Sequence, residues 1–79
     1  MAKEFARSFY DSGTWRRCRD SYYRHREGIC EQCQGPGVIV HHKIELTPQN
    51  ITDVNITLGF WNLELLCRDC HSKAHGFGA

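Results

Sequence analysis

Cys30 and Cys33 form one C-x2-C pair and Cys67 and Cys70 form another, and these pairs constrain the fold more than any other feature of the chain. A tight turn with two cysteines at this spacing can present both thiolates to one tetrahedral ion, and two such turns complete the shell of a structural zinc. With 79 residues the chain is one domain at most. So short a chain buries too little apolar surface for its core alone to hold it comfortably. A four-cysteine centre would clamp the turn before the first strand to the start of the last helix, which is the missing staple. Two disulfides, or an iron centre on the same four ligands, are the competing readings. Cys18 is left over, and its place among Trp15 and Tyr22 suggests a buried apolar thiol rather than a ligand.

No apolar run approaches the roughly 20 residues that span a bilayer, and the opening "MAKEFARSFYDSG" has no continuous apolar stretch that could serve as a signal peptide. The expected location is the cytoplasm, with no membrane association, and in that reducing compartment paired cysteines favour metal over disulfide. The formal net charge of +1 excludes a strong global field pulling the chain onto nucleic acid. Its distribution says more. Residues 1–28 carry seven Lys/Arg against four Asp/Glu, a balance of +3, while residues 29–79 carry three against five, a balance of −2.

After the turn signal "YDSG", the stretch "TWRRCRDSYYRHREG" reads as a helix with Ser12 or Thr14 as its N-cap and Gly28 just past its end. Trp15, Cys18 and Tyr22 fall near one stripe of it, and Arg16, Arg17, Arg19, Arg24 and Arg26 occupy much of the rest. That basic face can be solvated cover, a phosphate-contacting surface, or both. "CEQCQGPGV" is a two-cysteine turn, and "VIVHHKI" has strand composition. Residues 45–60 read as a long loop with little regular structure. "NLELLC" is a short second strand with Leu63, Leu65 and Cys67 on one face and Glu64 and Leu66 on the other, and "RDCHSKAHG" closes as a helix that Gly76 ends. The expected organisation is α+β: a basic helical extension over 1–28 and a compact core over 29–79.

Four of the five histidines lie in two clusters, His41 with His42 and His71 with His75. Residues four apart share a helix face, so His71 and His75 can grip one metal together. His71 is turned about 100° from Cys70 by the helical repeat, so one short helix could face a structural metal on one side and a different metal on the other. An isolated H-x3-H pair can equally be two solvent-exposed histidines. His25, in the basic helix, carries no such signal.

"VIVHHKI", then Asn62 in "WNLELLC", then "CRDCH" with His75 four residues on, resembles the HNH endonuclease motif, and the similarity spans Cys30 to His75. The lead-in "FYDSGTWRRCRDSYYRHREGICEQC" also resembles the N-terminal helical segment of small bacteriophage HNH proteins, often encoded near DNA-packaging genes. The resemblance implies a small ββα-metal, or treble-clef, fold stapled by zinc at Cys30, Cys33, Cys67 and Cys70. It implies His42 as general base, His41, His71 and His75 as ligands of a catalytic divalent ion (Zn2+, Ni2+, Mn2+ or Mg2+), and Asn62 as the residue that orients the base. The implied partners are DNA and a phage terminase or another packaging protein.

The chemistry asks for such residues independently. A phosphodiester repels nucleophiles, and a divalent ion with open positions can screen its charge and stabilise the leaving 3′ oxygen. Neutral imidazoles hold an ion without cancelling its charge, and a free imidazole with a pKa near 6.5 can take a proton from water at neutral pH. Arg16, Arg17, Arg19, Lys43, Arg68 and Lys73 are the candidate phosphate contacts. Adjacent side chains on a regular strand point to opposite faces, so either the strand ends or bulges at His41 and His42 or the assignment of both to one site is wrong. A non-catalytic treble-clef module that binds nucleic acid or protein is the alternative function.

Overall fold

In the computed structural model, residues 4–74 are described. A 3-10 turn at Glu4–Ala6 leads into a single helical turn, α1 (Arg7–Tyr10), and then into α2 (Gly13–His25). Ser12 caps α2: its hydroxyl accepts from the Trp15 N–H at 3.1 Å and so satisfies one of the free donors of the first turn. The far end unwinds through Glu27 and Gly28, whose φ angles of 56° and 68° lie in the left-handed region where glycine is unstrained. Thus Ser12 is the cap, and Gly28 stops the helix as its position in the sequence implies.

The strands are β1 (Ile39–His42) and β2 (Leu63–Leu66), paired antiparallel with Ile39 opposite Leu66, Val40 opposite Leu65, His41 opposite Glu64 and His42 opposite Leu63. Alternation divides the hairpin into two faces. Leu63 and Leu65 pack with Trp15 and Tyr22 of α2, with Val40 and Cys18 at the edge of the cluster. The other face meets α4 (Arg68–Ala74), whose His71 ring lies 5.3 Å from that of His41. The hairpin is therefore covered on both sides. This is why Leu66, expected on a polar face beside Glu64, is fully buried.

Residues 45–60 are more ordered than their composition suggests. The Thr47 and Asn50 side chains exchange hydrogen bonds with each other's main-chain N–H groups at 2.7 and 3.2 Å, closing a turn. Asp53 then caps a short helix, α3 (Val54–Thr57), by accepting from the Asn55 N–H at 3.0 Å, and a 3-10 turn at Phe60–Asn62 delivers the chain to β2. Thr, Asn and Asp supply this order locally, by bonding the backbone where no apolar periodicity announces a helix.

Candidate active site

The two cysteine turns meet. Sulfur atoms of Cys30, Cys33, Cys67 and Cys70 all lie within 4.8 Å of one another, and Cys33 and Cys67 are 3.7 Å apart. A Zn–S length of about 2.3 Å places the corners of a tetrahedron about 3.8 Å apart, close to the Cys33–Cys67 separation, so a small contraction of the cluster would seat zinc. All five cysteines are free thiols. Burial pushes the Cys30 thiol up, but main-chain bonds from Cys33, Cys67 and Gln32 and a side-chain bond with Cys33 outweigh it and bring it down to about 6. Cys70 is pushed up to about 12, first by its hydrogen bond with Cys67 and then by burial. One thiolate thus resists another, a conflict that a divalent cation resolves. Cys18 stands apart, half-buried, with its thiol donating to the Leu58 carbonyl at 3.4 Å.

The turn holding Cys30 and Cys33 is sewn to β2. Glu31 N–H donates to the Leu65 carbonyl at 2.8 Å, while the Glu31 carboxylate accepts from Leu65 N–H at 2.7 Å and from the Tyr22 hydroxyl at 2.6 Å. Gly37 is buried where a Cβ would come within 2.5 Å of the Leu65 side chain, so only glycine lets this segment lie on the hairpin.

The histidine pair does not break the strand. Both residues sit in register on β1, and their rings leave on opposite faces. The expected bulge is absent because each face has its own helix to meet. His41 turns toward α4 and His71, with its Nε2 3.0 Å from Glu64 Oε1. Burial raises the Glu64 carboxyl, but hydrogen bonds from His41 and Gln32 hold it below its ordinary value. His75 lies outside the described residues.

His42 turns toward α2, stacked on Trp15 with ring centroids 4.9 Å apart. Its Nε2 lies 2.8 Å from the Thr57 carbonyl. A carbonyl only accepts, so Nε2 carries the proton and donates, which leaves Nδ1 with the lone pair. The Tyr10 hydroxyl stands 3.4 Å from that nitrogen. Burial, opposed by the Thr57 hydrogen bond and aided by the neighbouring His41, lowers the pKa of His42, which keeps the ring neutral at pH 7.

Asn62 is fully buried and does not bond to His42. It holds what surrounds it: Oδ1 accepts from Ile44 N–H at 2.7 Å, and Nδ2 donates to the Ile44 and Ile56 carbonyls at 3.3 and 2.9 Å. Asn62 and His42 therefore grip the consecutive carbonyls of Ile56 and Thr57. Arg16, Arg17 and Arg19 are exposed on α2, Lys43 just after β1, and Arg68 and Lys73 on α4. These six lie on three separate parts of the chain. Arg19 also lies 3.4 Å from Asp20.

Glu64 and the Thr57 carbonyl carry no motif that marks them in the sequence as parts of the site. Glu64 was within reach, since a hairpin pairing "VHHK" with "NLEL" puts an acid opposite a histidine. A main-chain carbonyl carries no sequence signal.

A zinc-fitting four-cysteine knuckle, a two-stranded hairpin and a closing helix that brings a histidine to the strand define the small ββα-metal class. Residues 30–77 match the family described as HNH endonuclease. A "Probable HNH endonuclease" of Lactococcus phage SK1 is 41% identical over 69 residues, covering 82% of this chain and 72% of the relative. The solved structure of the HNH endonuclease of the deep-sea thermophilic bacteriophage GVE2, with a manganese ion, superposes with a TM-score of 0.78 at 28% identity over 95% of this chain and 83% of that one. The chain belongs to the HNH endonuclease family and is a nuclease of the phage type. No helix among the described residues is long and apolar enough to cross a membrane.

Proposed function

We propose that this nuclease hydrolyses DNA phosphodiester bonds in a metal-dependent reaction that leaves 5′-phosphate and 3′-hydroxyl ends. One observation carries the reading: neighbouring imidazoles diverge at the end of β1, His41 toward His71 and His42 toward a carbonyl that fixes it as a neutral base. His41 and His71, with His75 from the adjoining segment, would hold the ion. A neutral donor set of this kind accepts Zn2+, Ni2+, Mn2+ or Mg2+ to differing degrees, and the manganese in the GVE2 structure favours Mn2+ as the first ion to try. When bound, the ion supplies charge to screen the phosphate and to stabilise the leaving 3′ oxygen.

His42 takes the proton of the attacking water at Nδ1, the nitrogen that keeps its lone pair, with that water replacing the Tyr10 hydroxyl that faces Nδ1 at 3.4 Å. The water oxygen bonds to phosphorus, the bond from phosphorus to the 3′ oxygen breaks, and that oxygen is protonated from solvent. In-line displacement needs attack from the side opposite the leaving group. Asn62 acts as a positioning residue, through Ile44 and the Ile56 carbonyl beside Thr57.

Cys30, Cys33, Cys67 and Cys70 hold a structural zinc in this reading, and residues 1–28 form a basic extension on a nuclease core of residues 29–79. Arg16, Arg17, Arg19, Lys43, Arg68 and Lys73 contact phosphates. The host cytoplasm as the place of action is in keeping with the phage relatives, and a terminase or another packaging protein is the proposed partner, on the resemblance of the N-terminal segment alone. Plasmid cleavage with Mg2+, Mn2+, Ni2+ and Zn2+ in turn, wild type beside His42→Ala, tests the function. Nicking that survives full chelation, or that His42→Ala leaves intact, would contradict it.

A further inference from the structure

Gln32 sits between Cys30 and Cys33, inside the cysteine knuckle, and its Nε2 donates to Glu64 Oε2 at 2.7 Å. The other oxygen of the same carboxylate, Oε1, lies 3.0 Å from His41 Nε2. Glu64 and His41 are Cα partners across the hairpin, and both side chains are largely buried, at 16% and 12% exposure. A carboxylate can only accept, so His41 Nε2 carries the proton and Nδ1 keeps the lone pair. Nδ1 is itself shut off from solvent.

We propose that Glu64 is a positioning residue that fixes Nδ1 of His41 as the metal-ligating nitrogen, and that Gln32 ties this carboxylate to the knuckle. The proposal rests on the reading of His41 as a ligand. A carboxylate behind a ligating imidazole sets its tautomer and orientation and raises its basicity, and losing one typically weakens the ion about 10- to 100-fold. Here the carboxylate is anchored from the zinc turn itself. The two metal sites are therefore mechanically joined through one side-chain chain, Gln32 to Glu64 to His41, and the order of the first sets the grip of the second.

The test uses the full chain loaded with zinc. Mn2+ serves as the probe because thiolates hold it weakly and it should leave the knuckle's zinc in place. Wild type, Gln32→Ala, Glu64→Ala, Glu64→Gln and His41→Ala are titrated by calorimetry, with zinc content and melting temperature recorded for each. The tautomer of His41 is read from its ring-nitrogen shifts before any Mn2+ is added.

In wild type, His41 should carry its proton on Nε2. Glu64→Ala should scramble the tautomer and weaken Mn2+ about 10- to 100-fold with zinc retained, and Gln32→Ala should weaken it less. Glu64→Gln keeps an accepting oxygen, so it should restore the tautomer and most of the affinity. Glu64→Gln as damaging as Glu64→Ala, or a wild-type proton on Nδ1, would overturn the positioning role. If His41→Ala itself leaves Mn2+ affinity unchanged, the ligand assignment beneath the proposal fails instead, and if only the Glu64 variants leave it unchanged, the proposal fails alone.

Discussion

His42 lies on the indole of Trp15, with the ring planes within 30° of parallel. Phe9 and Tyr10 of α1 approach the same imidazole at 6.1 and 6.0 Å between centroids. The basic N-terminal third of the chain therefore builds the wall behind the candidate base as well as carrying charge. Trp15→Ala should cost about 3–5 kcal/mol of stability, the usual range for emptying an aromatic site in a core. Trp15→Phe should cost less and retain the fold. Chemical denaturation measures both, and an unaltered midpoint for Trp15→Ala would show that α2 is not part of the folding unit.

Zinc removal should unfold the domain, since metal binding at the cysteine cluster is folding free energy. Cys67→Ser should release zinc and collapse the melting transition. Cys18→Ser, whose thiol reaches the Leu58 carbonyl and not the cluster, should release none. Metal analysis beside a thermal melt reads both results. A folded, zinc-free Cys67→Ser protein would contradict the assignment.

Much of this fold can be read from residue types with strong local meaning. The paired cysteines announce the knuckle, Ser12 and Gly28 bracket α2, strand composition marks β1 and alternation marks β2. Tertiary cover was not legible. Leu66 looks like a solvent-face residue until α4 is laid over it, and His41 and His42 seem to need a bulge until each face of the hairpin is given its own helix. Nor could composition disclose α3, which depends on the Asp53 cap more than on apolar spacing. The candidate site is a set of side chains proposed from the sequence; Glu64 follows once the two strands are paired, while the Thr57 carbonyl emerges only from the folded geometry.

Tyr22 links helix, knuckle and strand. Its hydroxyl donates to Glu31 at 2.6 Å and lies 3.0 Å from the Leu63 carbonyl. Burial, then the bond to Glu31, pushes its pKa well above the ordinary tyrosine value. Tyr22→Phe removes a hydrogen bond to a charged group and should cost about 1.5–3 kcal/mol. Zinc stoichiometry should stay at one per chain. A stability loss near zero would show that water replaces the hydroxyl without penalty.

Replacing Arg16, Arg17 and Arg19 together by Gln should weaken DNA binding and flatten its salt dependence, because each phosphate no longer neutralised takes about 0.9 from the slope of log K against log salt. All three are exposed, so the fold should persist. Binding measured over a salt series, with circular dichroism as the control, decides the matter. An unchanged slope in a folded protein would leave α2 as structural cover only.

The most direct test of the division of labour on β1 is a pair of alanine substitutions at neighbouring positions, each read by Mn2+ calorimetry and by plasmid cleavage. His42→Ala should lower cleavage by about 10²- to 10⁴-fold, the usual contribution of a general base, while the affinity for the second ion is kept. His41→Ala should lower both together, with activity partly recovered at high Mn2+ concentration. If His42→Ala instead loses the ion while His41→Ala retains both ion and cleavage, the two histidines have exchanged roles, and neither His41 as ligand nor His42 as base can stand.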